Sequence, residues 1–269
     1  MSYEFIASPN NSSRKGASID GVILHFTGGG DIEGTINWLC HPEANASCHY
    51  VISRSGRIVQ LVKEDRTAWH AGSSTTTPKL NGRKNLNKWT IGIEICNWGW
   101  LYKPQQNELI EWKGKMIERK AGIEYVRNRC WTTPYIGEPS FGYIVEFKKS
   151  KALQYNKKYR NWPGGNIYSW EWYPEKQMES VRKLIAEIIE RYPHITKEWI
   201  ATHADVDPTR KLDMVGNVFD LQNVIDHVWK KQEEVIEFRI GRRTDDSASI
   251  EDLKDMYEPR NKEHKIWCF

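Results

Sequence analysis

The sequence predicts an α/β (α+β) chain, and three patterns predict it. Residues 21–26 read Gly-Val-Ile-Leu-His-Phe, an apolar run ended sharply by Thr27, Gly28, Gly29 and Gly30, as a buried strand is. Residues 90–97 alternate with period two, placing Ile91, Ile93 and Ile95 on one strand face and Glu94 on the other. Residues 174–193 set Met178, Val181, Leu184, Ile185, Ile188 and Ile189 at helical spacing between two prolines, which reads as an amphipathic helix.

The remaining elements follow in order. Residues 31–40 predict a helix with Asp31 as its N-cap and Ile32, Ile36 and Leu39 on one side. Residues 48–53 and 57–62 predict two short strands joined by Arg54-Ser55-Gly56 as a hairpin turn. Residues 199–203 predict a strand running into a loop at His203, and residues 220–231 a last helix with Leu221, Val224, Ile225 and Val228 inward. Between Trp98 and Trp172 the pattern is irregular and aromatic, which predicts an insertion rather than a separate core. The domain organisation expected is thus residues 1–231 as one domain, with its core in 21–97 and 175–231 and the insertion at 98–174. Residues 232–269 form a charged extension.

At 269 residues, 39% hydrophobic and 28% charged, the chain can bury a sizeable core and lacks the composition of disorder. A net charge of +4 is mild and its basic residues are scattered, so nucleic acid is not an expected partner, while an anionic polymer such as a bacterial wall suits it. No stretch approaches the ~20 apolar residues that cross a bilayer, so a membrane is not expected either. The first 21 residues hold no apolar run of the signal-peptide kind, and the expected location is cytoplasmic when synthesised. Five cysteines without a C-x-x-C pair suggest neither a disulfide framework nor a thiolate metal site. The 13 tryptophans are compatible with carbohydrate binding and equally with core packing.

Catalytic zinc is commonly held by three protein ligands with a fourth position open for water. The candidates are His25 at a strand end, His203 at a second strand end, and Asp213 on a loop returning ten residues after His203. A lone histidine in an apolar strand is more often a packed core residue than a ligand, so the surrounding words decide. These are Val22-Ile23-Leu24-His25-Phe26-Thr27, the run from His49 to Ile58, Ala68-Trp69-His70-Ala71-Gly72, Thr90-Ile91-Gly92-Ile93-Glu94, the run from His203 to Asp213, and Phe219-Asp220-Leu221. In that order they resemble the zinc N-acetylmuramoyl-L-alanine amidases, a family that includes peptidoglycan recognition proteins, anhydro-muropeptide amidases and amidase-type phage lysozymes.

The resemblance implies a central mixed β-sheet flanked by helices, one Zn2+ per chain on His25, His203 and Asp213, and hydrolysis of the amide between N-acetylmuramic acid and L-alanine. Glu94 matches the family's catalytic glutamate, and Lys211 stands where the family places a lysine that stabilises the oxyanion. His70 is expected in the substrate groove, with a supporting or structural role as the alternative. Asn97 and Tyr50 are weaker substrate-contact candidates, and Tyr50 has a core reading beside that one. His49 has a structural part in the family motif and stays outside the metal set. Cys48 departs from members with a catalytic tyrosine there, which leaves Glu94 as the expected proton carrier.

The insertion is the second departure. Its Trp98, Trp100, Trp131, Tyr135, Trp162 and Trp170 read either as a glycan-binding wall or as a satellite core. The expected partner is peptidoglycan or a muropeptide, and the expected state a monomer. A phage endolysin and a cytoplasmic muropeptide amidase both fit this reading. A peptidoglycan-binding protein that does not cut, or the same fold turned to a protein partner, are the alternatives.

Overall fold

The computed structural model describes residues 3–72, 79–102, 106–112, 115–121, 125–126, 147–148, 167–171, 173–207, 211, 213–214 and 219–241. Its main strands are β1 (Glu4–Phe5), β2 (Asn11–Ser13), β3 (Gly21–Phe26), β4 (Tyr50–Ile52), β5 (Ile58–Gln60), β6 (Arg66–Ala68) and β7 (Thr90–Ile95). Residues 98–174 contribute β8 (Trp100–Tyr102), β9 (Glu108–Trp112), β10 (Lys115–Arg119), β11 (Tyr125–Val126), β12 (Phe147–Lys148) and β13 (Ile167–Trp170), and β14 (Ile200–Thr202) joins the six-stranded sheet. The helices are α1 (Ile32–Leu39), α2 (Glu175–Arg191), α3 (His203–Val206) and α4 (Leu221–Gly241).

Six strands hydrogen-bond in the order β1-β5-β4-β7-β3-β14. All neighbours are parallel except β4 and β5, so the sheet is mixed, as the resemblance implied. The exception has a local cause. Gly56 takes φ +89°, a left-handed conformation glycine adopts without steric cost, and its N–H donates to Ser53 across the turn. A hairpin follows.

Register decides which side chains share a face. His25 pairs with Glu94, which pairs with Val51, so these three project to one side. Leu24, Ile93 and Tyr50 project to the other. That second face is the main core, where Val22, Leu24, Ile91, Ile93, Ile95 and Ile200 pack against Val181, Leu184, Ile185 and Ile188 of α2 and Val224, Ile225 and Val228 of α4. Burying such side chains stabilises by about 1.5–3 kcal/mol each, so this layer carries much of the fold.

The first face is covered in two patches. Ile36 and Leu39 of α1 close over Val51 and Val59, while Ala71, Leu80, Leu86 and Val206 close over Ile23 and Ala201. Asp31 caps α1 as its position predicted, accepting from Glu33 N at 3.1 Å and Gly34 N at 3.0 Å.

Two elements differ from the sequence reading. His203 opens α3 instead of entering a loop, because Thr202 and Asp205 form a reciprocal capping box that starts a helical turn directly after β14. Helix α4 continues to Gly241, past the Lys231 at which the apolar repeat ends. Among the described residues of 98–174, β11-β8-β13-β12 form one sheet and β9-β10 an antiparallel ribbon. Trp131, Tyr135 and Trp162 lie outside the described residues.

Residues 97–99 and Glu171 are clipped together. Asn97 Nδ2 donates to the Glu171 carbonyl at 3.1 Å, Glu171 N donates to Gly99 O at 2.9 Å, and Trp98 N donates to the Glu171 carboxylate at 2.7 Å. Arg54 of the β4–β5 turn completes the clip with an ion pair to Glu171 at 2.5 Å.

Candidate functional site

Ligand sites in sheets of this kind form beyond the carboxyl ends of the parallel strands, where loops rather than helices cover the surface. His25 is the fifth of six residues of β3, Glu94 the fifth of six of β7, and His203 directly follows β14, so three adjacent parallel strands carry a polar side chain at or beside their carboxyl ends. The return of Asp213 is fixed by backbone bonds. Ala204 N donates to Asp213 O at 2.6 Å, and Lys211 N donates to Asp207 O at 2.9 Å, folding the loop back onto α3.

The result is a convergence. His25 Nδ1 lies 3.1 Å and His203 Nδ1 2.9 Å from the same oxygen, Asp213 Oδ2. The three residues offer ligand atoms within 4.8 Å of one another. His25 and His203 are buried and Asp213 nearly so.

Burial, then the neighbouring His203, pushes His25 down to about 4, with Asp213 opposing, so its imidazole is neutral at ordinary pH. Burial alone would raise Asp213, but His203 and His25 more than offset it, and the carboxyl sits well below its usual range. Two imidazole nitrogens and one ionised oxygen are the donor set of a divalent-cation site, and the residues fit such an ion.

Glu94 stands beside this group on the next strand. Burial first, and then the Asp213 charge, push its carboxyl up to about 8, with Lys211 pulling the other way. Its Oε2 is out of solvent and without a hydrogen-bond partner among the described residues. A carboxyl that titrates near neutrality beside a cation site can take and return a proton.

The remaining candidates separate. His70 joins the cluster, its Nδ1 3.1 Å from His25 Nε2. Tyr50 does not: it lies on the helix-covered face, in edge contact with Tyr3, and donates its hydroxyl to Glu64 at 2.8 Å. Its pairing with Ile93 turns it away from Glu94, so the substrate-contact expectation gives way to the core reading. Asn97 is fully buried and spends its amide on Glu171 O and Gly99 N, which makes it part of the clip and not of the cleft.

His49 is likewise occupied. Its Nδ1 accepts from Gly92 N at 2.9 Å, and its Nε2 lies between Arg14 Nη2 at 2.8 Å and the Arg66 carbonyl at 3.1 Å. Cys48 is buried, with Sγ 3.1 Å from the Tyr50 carbonyl, and burial raises its thiol well above the usual value, so no Cys/His nucleophile pair exists here. The sequence reading missed Thr90, Gly92 and Asn87, the residues in contact with His70. A glycine inside a strand is the signal that marks Gly92, since it flags a close approach by another group.

A mixed sheet thus gathers two imidazoles and a carboxylate near its strand ends, a donor set that fits a divalent cation, beside a buried carboxyl pushed up to about 8. Residues 15–214 match the family of N-acetylmuramoyl-L-alanine amidases, and the chain belongs to that family.

Among curated relatives, N-acetylmuramoyl-L-alanine amidase A of Achromobacter lyticus is 40% identical over 89 residues, 33% of this chain and 43% of that protein. The chain's match thus spans under half the length of that relative. N-acetylmuramoyl-L-alanine amidase AmiD of Escherichia coli K12 is 25% identical over 269 aligned residues, covering 92% of this chain and 72% of that protein. A crystal structure of a selenomethionine AmpD derivative aligns over 84% of this chain and 93% of that one at 20% identity, with a TM-score of 0.47.

Proposed function

We propose that the chain hydrolyses the amide between the lactyl group of N-acetylmuramic acid and L-alanine in peptidoglycan, with one Zn2+ held by His25, His203 and Asp213. The convergence of both Nδ1 atoms on one Asp213 oxygen carries this reading, together with membership of the amidase family. Bound zinc supplies an acidified water and a polarised carbonyl.

The chain's own residues do the rest. Glu94, with its carboxyl poised at about 8, accepts the water proton at its unpartnered Oε2 and returns it to the leaving amine of L-alanine. Lys211 follows from the same loop as Asp213, and its charge is felt at both Glu94 and His25. It stabilises the oxyanion that forms on the amide oxygen. Asp213 contributes the negative charge that holds the ion, and the His25 and His203 imidazoles contribute direction.

No helix among the described residues is long and apolar enough to cross a membrane. The proposed substrate is either intact wall or soluble muropeptide. Comparing turnover on the two separates an endolysin from a muropeptide amidase.

The test is to incubate the chain with purified peptidoglycan and assay new L-alanine amino termini. Their release, its loss on chelation and its return on adding zinc are expected. Binding of peptidoglycan without release would establish a non-cutting binding protein and overturn the proposal.

A further inference from the structure

The His70 ring is held from four sides. Asn87 Oδ1 accepts from His70 N at 3.0 Å and Ala71 N at 2.6 Å, fixing the backbone. The ring lies over Gly92, where a Cβ would stand 2.7 Å from His70 Nδ1, so only glycine leaves room for it. Its Nδ1 faces His25 Nε2 at 3.1 Å, and its Nε2 faces Thr90 Oγ1 at 3.4 Å. Thr90 in turn bonds the Leu86 carbonyl at 2.7 Å.

The direction of this chain follows from its last member. A carbonyl oxygen only accepts, so the single hydroxyl proton of Thr90 goes to Leu86 O. Thr90 Oγ1 therefore accepts, and His70 Nε2 carries the hydrogen. In a neutral imidazole the other nitrogen, Nδ1, then holds a lone pair and accepts from His25 Nε2–H. His25 is left with its lone pair on Nδ1, the atom that faces Asp213 and His203.

We infer that His70 is a positioning residue for the metal site: the Leu86–Thr90–His70 relay sets the tautomer and orientation of His25, so that Nδ1 is held ready as a ligand. This rests on the proposed zinc site and deepens it. It also assigns His70 a role distinct from touching substrate. Outer partners of metal-bound histidines commonly change metal affinity by about 10–100-fold when removed.

The experiment measures zinc affinity of the full chain by competition with a chromophoric chelator, without substrate. His70→Phe keeps a ring but no acceptor, and zinc binding is expected to weaken by about 10–100-fold. His70→Asn puts an oxygen acceptor near the Nδ1 position and is expected to recover part of that loss. Thr90→Val keeps His70 and the strand packing but removes the relay's anchor, and weaker zinc binding is expected there too. It decides the matter alone if His70→Phe fails to fold.

Zinc affinity unchanged in Thr90→Val, or in a folded His70→Phe with only KM raised, overturns the inference, and so does His70→Asn without recovery. In those cases zinc still binds the unaltered chain and the proposed function stands. An unaltered chain that binds no zinc overturns both.

Discussion

On one side of the central sheet the parallel strands present Val22, Leu24, Ile91, Ile93 and Ile95 to two helices, and on the other the same strands present His25 and Glu94. The first side packs against α2 and α4. The second is covered by α1 in one patch and by Ala71, Leu80, Leu86 and Val206 in another. Period-two alternation is what makes this division possible: each strand spends alternate residues on stability and on chemistry. On the polar side His25 and His203 both face Asp213 Oδ2 and His25 also faces His70, whereas the apolar side needs only shape.

This division can be broken or sharpened experimentally. The largest effect is expected from Glu94→Gln on the polar side, which should lower kcat by about 10²–10⁴-fold with zinc stoichiometry unchanged, read by steady-state kinetics and metal analysis. Full activity in that variant would show that another group carries the proton. Leu184→Ala, on the fully buried face of α2, should cost about 2–5 kcal/mol in denaturant unfolding. Its zinc affinity should match the unaltered chain, and coupled losses would erase the division.

The third effect is a pH dependence. Burial, then the Arg14 charge, lower His49 to about 3, against an unfolded value near 6.5. A group whose folded value is depressed contributes stability that is full above about 6.5 and lost as pH falls toward about 3. The unfolding free energy should therefore decline across that window, and His49→Gln should flatten the decline. An acid limb of equal slope in both proteins would contradict the account.

Tyr50→Phe is the smallest. It removes a bond to the Glu64 carboxylate and should cost about 1–3 kcal/mol of stability, with KM unchanged. A raised KM would return Tyr50 to the substrate cleft.

How much of this was legible in the residues depends on distance along the chain. The alternation of residues 90–97 marked Glu94 as the odd residue on its strand, and the strand-end positions of His25 and His203 pointed to a shared cleft. The face taken by Tyr50 was not legible, because it depends on the pairing of Tyr50 with Ile93, and register between distant strands is set by packing. Asn97 was read as a substrate contact for the same reason. Its partner Glu171 is 74 residues away along the chain. The capping box at Thr202 and Asp205 is a four-residue pattern and was available from sequence, yet the apolar strand before it dominated the reading.

The relay beneath His25 joins Leu86 and Thr90, which are close in sequence, to His70, which is not. Only Gly92, unexpected inside a strand, hinted that something lies against it.

The central claim is that His25, His203 and Asp213 hold one ion on which the chemistry depends. Metal analysis after exhaustive dialysis, run beside turnover of a soluble muropeptide, tests it in the unaltered chain and in Asp213→Ala. The account predicts one zinc per unaltered chain, and in Asp213→Ala no retained zinc with turnover reduced by ~10²-fold or more. An Asp213→Ala protein that keeps its zinc and its turnover would contradict it.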